Sequence, residues 1–250
     1  MIYVNNKEWN LERFLNDIKL LNLLKKYNIK INNTSKKVKH NKQNKQNLII
    51  LDLDNTIISS ESIMLIDKKK KKYAHSLENL KYYDFRKLRI FERPGLQDFL
   101  DYIFKYFKVG VWTAGQADYA KYIVEKFIKT PDKKYKRNIE FIWTRRQSFK
   151  SYKLYKCYKN LSMVWENFDH FNEKNTILID DMECNVVLQD KNAMLIPEFY
   201  ILNYNEDKQT LQYIMHYLSK FINKNINTST HYIEYEPDVK TKKLLKQLNH

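Results

Sequence analysis

Glycine, proline and cysteine are scarce in this chain of 250 residues, with three, four and two residues respectively. Because the glycines are isolated, the sequence contains no glycine-rich loop of the P-loop or Rossmann type, and both classes of nucleotide-binding protein are excluded. The two cysteines, Cys157 and Cys184, offer neither a disulfide framework nor a zinc-binding spacing. Their number and spacing favour a reducing compartment.

Long apolar runs are also missing. No stretch approaches the roughly 18 to 20 apolar residues of a membrane span, and the N-terminus, MIYVNNKEWN, lacks the basic and apolar regions of a secretory signal. We therefore expect an intracellular protein of the nucleus or cytoplasm, neither secreted nor bound in a membrane. With 43% hydrophobic residues, the chain can bury one good core, so we expect one main domain with extensions.

Positive charge is abundant, because 45 Lys and Arg residues face 29 Asp and Glu residues and give a net charge of +16. One interpretation is an acidic partner such as nucleic acid or a phosphorylated peptide. The other is the codon bias of an AT-rich genome, which also explains the many Asn, Ile and Tyr residues. The two interpretations are compatible, since a basic surface attracts phosphate whatever its origin.

The hydrophobic pattern divides the chain into three parts. Residues 1–46 contain an amphipathic helix, predicted over residues 8–28, and then a basic, low-complexity linker. Residues 47–222 alternate strand and helix signals and form the main domain. Residues 223–250 form a tail to which the sequence assigns no role.

The main domain has the β-α-β alternation of an α/β fold, with a mostly parallel sheet and helices on both faces. Residues 59–89 are expected to be irregular and to allow only a small insert, not a large cap domain. The pattern predicts strands at Leu48–Leu51, Leu88–Phe91, Val109–Thr113, Ile139–Trp143, Thr176–Asp180 and Ala193–Ile196. It predicts helices from Pro94, at Ala117–Ile128, at Leu161–Phe171 and at Leu211–Ile222.

Acidic residues follow two of these buried strands. The segment LIILDLDNTI ends its apolar run in Asp52 and Asp54, and the segment ILIDD ends in Asp180 and Asp181. Reactive groups in open α/β sheets gather beyond the carboxyl ends of the strands. Two carboxylates there suit phosphoryl transfer: Asp52 can attack phosphorus, Asp54 can shuttle the proton, and Mg²⁺ can offset the crowded negative charge.

Four features in this order resemble the motifs of the haloacid dehalogenase superfamily of phosphotransferases. They are Asp52-Leu53-Asp54-Asn55-Thr56, Thr113 in VGVWTAG, Lys159 in YKNLS, and Asp180-Asp181 in ILIDD. The resemblance implies the fold of that superfamily.

The flanking residues narrow the resemblance. FERPGLQDFL, TAGQADYA, TRRQS and IDDMECNVVLQDKNAMLI are similar to segments of the phosphatases that act on the C-terminal domain of RNA polymerase II, the NLI-interacting-factor-like family. The similarity covers residues 48–202. The chain has Met182 and Glu183 where the family usually has serine and proline, Gly115 in place of serine, and Asn55 in place of glutamate. None of these departures removes a nucleophile, an acid or a metal ligand.

The resemblance implies a role for each motif residue. Asp52 would be the nucleophile and Asp54 the general acid and base, while Thr113 and Lys159 would stabilise the transferred phosphoryl group. Mg²⁺ would be held at Asp52, at the backbone carbonyl of Asp54 and at the Asp180-Asp181 pair. Within that pair, Asp181 is the preferred ligand and Asp180 would orient Lys159 or a metal-bound water.

Thr56 and Arg145 are the candidates for substrate contact, whereas Arg93 could equally hold the entry of a helix. The resemblance implies a phosphatase for phosphoserine or phosphothreonine in a proline-containing, disordered protein tail. Two alternatives remain open: a nucleic-acid end phosphatase of the same superfamily, which the basic linker favours, and an adaptor that binds phosphate without catalysis. The oligomeric state is open.

Overall fold

The computed structural model describes residues 47–67, 80–129, 137–204 and 207–222. The predicted N-terminal helix and linker, the lysine run at residues 68–72 and the C-terminal tail lie outside these ranges. The domain limits at residues 47 and 222 therefore stay predictions. Within the described ranges, no helix is both long and apolar enough to cross a membrane.

Eight strands form two sheets. The main sheet is parallel throughout, with the strand order β6-β5-β1-β7-β8. The smaller sheet has the order β2-β4-β3 and is antiparallel. The strands are β1 Leu48–Leu51, β2 Ile58–Ser62, β3 Tyr82–Phe85, β4 Leu88–Glu92, β5 Lys108–Trp112, β6 Ile139–Trp143, β7 Thr176–Asp180 and β8 Ala193–Leu195.

Helices cover both faces of the main sheet, as the α/β pattern predicts. They are α1 Leu96–Tyr106, α2 Ala117–Ile123, α3 Arg145–Tyr155, α4 Ser162–Asn167, α5 Glu183–Val186 and α6 Thr210–Leu218. Successive residues of β1 point to opposite faces. Ile49 and Leu51 enter a core cluster with α1, α2 and α6, whereas Leu48 and Ile50 enter a second cluster with α4 and α5.

The expectation of an irregular segment at residues 59–89 is wrong. Strands β2 and β3 pair on either side of β4 and make the small antiparallel sheet. The sequence ISSES of β2 contains one apolar residue, Ile58, and therefore gives almost no strand signal, whereas its backbone is ordered by pairing with β4. The insert is nevertheless small, as predicted, and the described residues contain no large cap domain.

All four predicted helices differ in their bounds. The helix predicted at Ala117–Ile128 is α2 followed by a π-helix at Val124–Ile128, and those predicted at Leu161–Phe171 and Leu211–Ile222 are the shorter α4 and α6.

Two differences have a local reason. Helix α1 begins at Leu96 rather than Pro94, because Gly95 takes a left-handed backbone conformation with φ of 77°. Helix α3 was not predicted, since its buried positions are the small polar residues Ser148 and Ser151 and leave no apolar stripe. It begins with a capping box between Thr144 and Gln147.

The strand order decides where the polar motifs meet. Strand β1 lies between β5 and β7, and all three run in the same direction. The residues that follow them, Asp52, Thr113 and Asp181, together with Asp180 at the end of β7, therefore lie at one edge of the sheet.

Candidate active site

Three carboxylates meet at this edge of the sheet. Each of Asp52, Asp180 and Asp181 offers an oxygen, and these oxygens lie within 4.8 Å of one another. Asp52 and Asp180 are buried, whereas Asp181 is half-buried. Burial and the charge of Asp180 raise the pKa of Asp181 to about 6, against the opposing effects of the Thr56 hydroxyl and Lys159.

The ammonium group of Lys159 bridges two of these acids. The loop between α3 and α4 brings it in, and its Nζ donates to Asp52 Oδ1 and, at 2.7 Å, to Asp180 Oδ2. Burial lowers the pKa of Lys159, but the two carboxylates outweigh this effect and raise it above its usual value. For Asp52 burial has the opposite effect and raises the pKa, while the positive charge of Lys159 lowers it to a smaller extent.

The two acids after β7 have different surroundings. Both oxygens of Asp180 accept hydrogen bonds: from the backbone amide of Met182 at 2.8 Å, from the amide of Asn185 at 3.1 Å to each oxygen, and from Lys159. Asp181 accepts a hydrogen bond from the hydroxyl of Thr56 at 2.7 Å. Asp180 therefore fixes the position of Lys159, whereas Asp181 accepts fewer described hydrogen bonds and has oxygen lone pairs left for a further ligand.

Asp54 has hydrogen-bond partners of its own. Its Oδ1 accepts hydrogen bonds from the hydroxyls of Tyr119 and, at 2.9 Å, Ser60. Burial raises the pKa of Asp54, while the two hydroxyls and Lys159 lower it to a smaller extent. Tyr119 and Ser60 were not predicted as site residues. Tyr119 lies in the TAGQADYA segment and reads as core, and nothing in the sequence of β2 marks Ser60.

Thr113 is buried directly after β5. Its hydroxyl oxygen accepts a hydrogen bond from the backbone amide of Gly115 at 2.9 Å, which leaves the hydroxyl hydrogen available to donate. A Cβ atom at Gly115 would lie 2.8 Å from Tyr119 Cδ1 and 3.2 Å from Thr113 Oγ1. Glycine in place of the more usual serine thus gives room to the ring that contacts Asp54.

The two candidates for substrate contact lie in different places. Thr56 is fully buried and its hydroxyl is directed to Asp181. Arg145 is exposed at the start of α3, where its Nε donates to the carbonyl of Ala114 at 3.0 Å and its amide to that of Gly115 at 2.9 Å. Arg145 is therefore at the rim of the site beside Thr113, while a substrate contact by either residue stays a prediction.

Arg93 is a structural residue, which decides between the two roles considered for it. Its buried guanidinium donates to both oxygens of Asp207, to the carbonyl of Thr56 at 2.7 Å and to that of Pro197 at 2.9 Å. These contacts tie the loop after β1 to the chain after β8.

The donor set of the carboxylate cluster fits a hard cation. Magnesium and calcium prefer carboxylate, carbonyl and water oxygens, and Asp52 and Asp181 supply such oxygens beside an acid that is already hydrogen-bonded. One ammonium group accompanies three carboxylates, so a cation would reduce the remaining repulsion. The thiol of Cys184 is nearby, but burial raises its pKa to about 12, which keeps it protonated and a poor metal ligand.

The chain is similar to known phosphatase-like proteins. Residues 47–229 match the family model described as NLI interacting factor-like phosphatase. The CTD phosphatase-like proteins 355R of invertebrate iridescent viruses 3 and 6 are 37% and 36% identical to the chain. The matches cover 67% and 70% of this chain and 91% and 98% of the viral proteins.

Solved structures of the RNA polymerase II CTD phosphatase Fcp1 are more distant. One gives a TM-score of 0.44 at 17% identity, and a fission yeast variant bound to beryllium fluoride gives 0.45 at 16%. Each match covers 82% of this chain, which spans only 62% and 63% of those two structures. The family model and the viral relatives show that the chain belongs to the NLI interacting factor-like phosphatase family.

Proposed function

We propose that this protein is a magnesium-dependent phosphatase that removes phosphate from phosphoserine or phosphothreonine through an aspartyl-phosphate on Asp52. The proposed substrate is a disordered tail like the C-terminal domain of RNA polymerase II. The observation that carries the proposal is the placement of Asp52, which is buried, bonded to Lys159 and grouped with Asp180 and Asp181 at the carboxyl edge of a parallel sheet.

Asp52 is suited to nucleophilic attack. Lys159 occupies Oδ1, and Oδ2 is the oxygen that would form the bond to phosphorus. As that bond forms, the bond from phosphorus to the serine or threonine oxygen breaks. The ammonium of Lys159 is then next to the transferred group, because it already contacts the attacking carboxylate.

Asp54 is suited to proton transfer. Its raised pKa makes the protonated form attainable, so that it can donate a proton to the leaving oxygen. It then accepts a proton from the water that attacks phosphorus and releases Asp52. Tyr119 and Ser60 hold one oxygen of Asp54 and so fix the orientation of its carboxyl group.

Charge on the transferred phosphoryl oxygens is stabilised by fixed donors. Lys159 is held by Asp52 and Asp180 and needs no reorientation during the reaction. The hydroxyl of Thr113 is fixed by the amide of Gly115 and can donate its hydrogen.

Asp52, Asp181 and the backbone carbonyl of Asp54 would hold the magnesium ion. When bound, the ion would act as a Lewis acid on a phosphoryl oxygen and balance the carboxylate charge. Thr56 orients Asp181 for this role through its hydrogen bond. Asp180 is proposed to orient Lys159, because four hydrogen bonds already occupy its oxygens.

A peptide substrate is supported by the small size of the insert and by the net charge of +16. A three-stranded sheet leaves the carboxyl edge more open than a separate cap domain would, and a basic surface attracts a phosphorylated chain. The 355R proteins are named CTD phosphatase-like, which agrees with this substrate class.

The test compares several substrates in buffer with and without Mg²⁺. We expect hydrolysis of para-nitrophenyl phosphate and of phosphoserine and phosphothreonine peptides, and none by Asp52→Asn. Asp169→Asn, an exposed change with the same loss of charge, is expected to keep full activity. Faster release of phosphate from 3′-phosphorylated DNA than from peptides would contradict the proposal and favour an end phosphatase. Binding without turnover would favour an adaptor.

A further inference from the structure

Helix α3 carries an unusual concentration of positive charge. Its sequence, RRQSFKSYKLY, has four cations and no acid over Arg145–Tyr155. We call five exposed residues of this helix and its C-cap the basic ridge: Arg146, Phe149, Lys150, Lys153 and Lys156. The two arginines stand in the first turn, where the positive end of the helix dipole disfavours them.

The exposed cations of the described residues fall into two groups. Three of them form ion pairs, Arg86 with Asp118, Lys108 with Glu140 and Lys129 with Glu125, whereas others, such as Lys174 and Lys191, have no ion pair among the described residues. Within the described ranges, no carboxylate forms an ion pair with a ridge cation. The ridge therefore presents uncompensated charge to an external partner.

Aromatic rings connect the ridge to the loop between α3 and α4, which carries Lys159. The side chain of Phe149 is 58% exposed although it is large and apolar. Its ring centroid lies 6.5 Å from that of Tyr158, which is stacked on Tyr152 at 4.6 Å. Tyr158 directly precedes Lys159 in the chain, so this row of rings joins the loop that carries Lys159 to the middle of the ridge.

The opposite face of α3 is fixed to the site by hydrogen bonds. Ser148 accepts from the indole of Trp112 at 3.1 Å and donates to the carbonyl of Thr113 at 3.4 Å. Ser151 donates to the carbonyl of Cys157 at 2.7 Å and accepts from the amide of Asn160 at 3.0 Å. The ridge is thus held at a fixed position relative to Thr113 and Lys159.

We propose that the basic ridge binds an acidic stretch of the substrate polypeptide next to the phosphoserine or phosphothreonine being hydrolysed, a proposal that rests on the proposed function. Its occupant is a peptide with acidic or phosphorylated residues. Their negative charge complements the positive charge of the ridge, and they belong to the same chain as the residue in the site. From Arg146 to Lys153 the helix axis rises about 10 Å. This span accommodates about three residues of extended chain.

The test uses two phosphoserine peptides that differ only in their flanks, one neutral and one with three glutamates on each side. At low salt we expect the full-length protein to show a kcat/KM about tenfold higher for the acidic peptide, mainly through KM. Lys150→Glu/Lys153→Glu is expected to abolish this preference. The matched control is Lys174→Glu/Lys191→Glu, which makes the same charge change at exposed positions before β7 and β8, at the opposite edge of the sheet. It is expected to keep most of the preference.

The outcomes separate the ridge from the proposed function. An equal kcat/KM of the wild type for both peptides, or an equal loss of the preference for the acidic peptide in the two double variants, would overturn the proposal that the ridge binds the substrate. Turnover of para-nitrophenyl phosphate with neither peptide hydrolysed would instead overturn the peptide substrate itself. A single-stranded oligonucleotide that loses its binding in Lys150→Glu/Lys153→Glu, with the peptide preference unchanged, would also overturn the ridge as a peptide site.

Discussion

Lys159 and Arg93 are both buried cations near the end of β1, yet their surroundings differ. Arg93 spreads its donors over Asp207 and two backbone carbonyls, and each partner belongs to a different segment. Lys159 contacts two carboxylates, Asp52 and Asp180, that belong to a cluster with excess negative charge. Arg93 satisfies the hydrogen-bonding groups around it, whereas Lys159 neutralises only part of the negative charge of a cluster that can still bind a ligand.

The difference shows that burial alone does not separate a residue proposed to act in catalysis from a structural one. Both side chains are almost fully inaccessible, and both carry a positive charge. What distinguishes them is the capacity that remains for a ligand. The described hydrogen bonds use two of the three N–H donors of Lys159, so one donor remains for a phosphoryl oxygen. We therefore expect substitution of Lys159 to affect catalysis most, and substitution of Arg93 to affect stability most.

The largest expected effect follows from Lys159→Met. We expect kcat for para-nitrophenyl phosphate to fall about 10²- to 10³-fold, because a fixed donor to the phosphoryl oxygens is lost. The free energy of unfolding should also fall in metal-free buffer, since the clustered carboxylates lose their counter-ion. Mg²⁺ should restore part of this stability, as measured by chemical denaturation with and without the ion. A variant with kcat unchanged would contradict the role of Lys159.

Arg93→Met is expected to show the reverse pattern. Loss of this guanidinium leaves Asp207 and two buried carbonyls without their donor, so the free energy of unfolding should fall by about 3 to 5 kcal/mol. Mg²⁺ should not restore it, and kcat of the folded protein should stay within about tenfold of the wild type. The control is Arg89→Met, which removes a more exposed ion pair with Asp84 and should cost only about 0 to 1 kcal/mol. Equal losses in the two variants would contradict the network assigned to Arg93.

A smaller effect is expected for Tyr119→Phe, which removes the hydrogen bond from the Tyr119 hydroxyl to Asp54. We expect kcat/KM to fall about tenfold because Asp54 is less well oriented. The Tyr119 hydroxyl favours the ionised form of Asp54, so its removal should raise the pKa of Asp54. The alkaline limb of the kcat/KM profile should then move to higher pH, because the general acid stays protonated longer.

The matched control on the same helix is Tyr122→Phe, whose hydroxyl donates to the carbonyl of Asp84. Its profile should be unchanged. An identical profile for Tyr119→Phe would show that the tyrosine does not act through Asp54.

The sequence was informative where structure and chemistry depend on local pattern. Strands β1, β6 and β7 have the predicted bounds. The apolar residues of β1 and β7 suffice for a parallel strand that is buried throughout. The structure also brings Asp52, Asp180, Asp181 and Lys159 together, although residue order alone did not reveal the distances between them.

What the sequence did not show depends on tertiary contacts. Ser60 and Tyr119 come to Asp54 from the insert and from α2, 59 residues apart in the chain. Helix α3 escaped prediction because it packs through serines, so its exposed charge had no amphipathic pattern to accompany it. Strand β2 likewise needed β4 as a partner.

The most direct test of the central claim is to trap the phosphorylated side chain. The wild-type protein would be mixed with a phosphoserine peptide and Mg²⁺, quenched in acid during turnover and reduced with borohydride, which converts an aspartyl-phosphate to homoserine. We predict homoserine at position 52 by peptide mass mapping, and none without substrate. Turnover at the normal rate with an unmodified Asp52, or homoserine at another aspartate instead, would contradict the account.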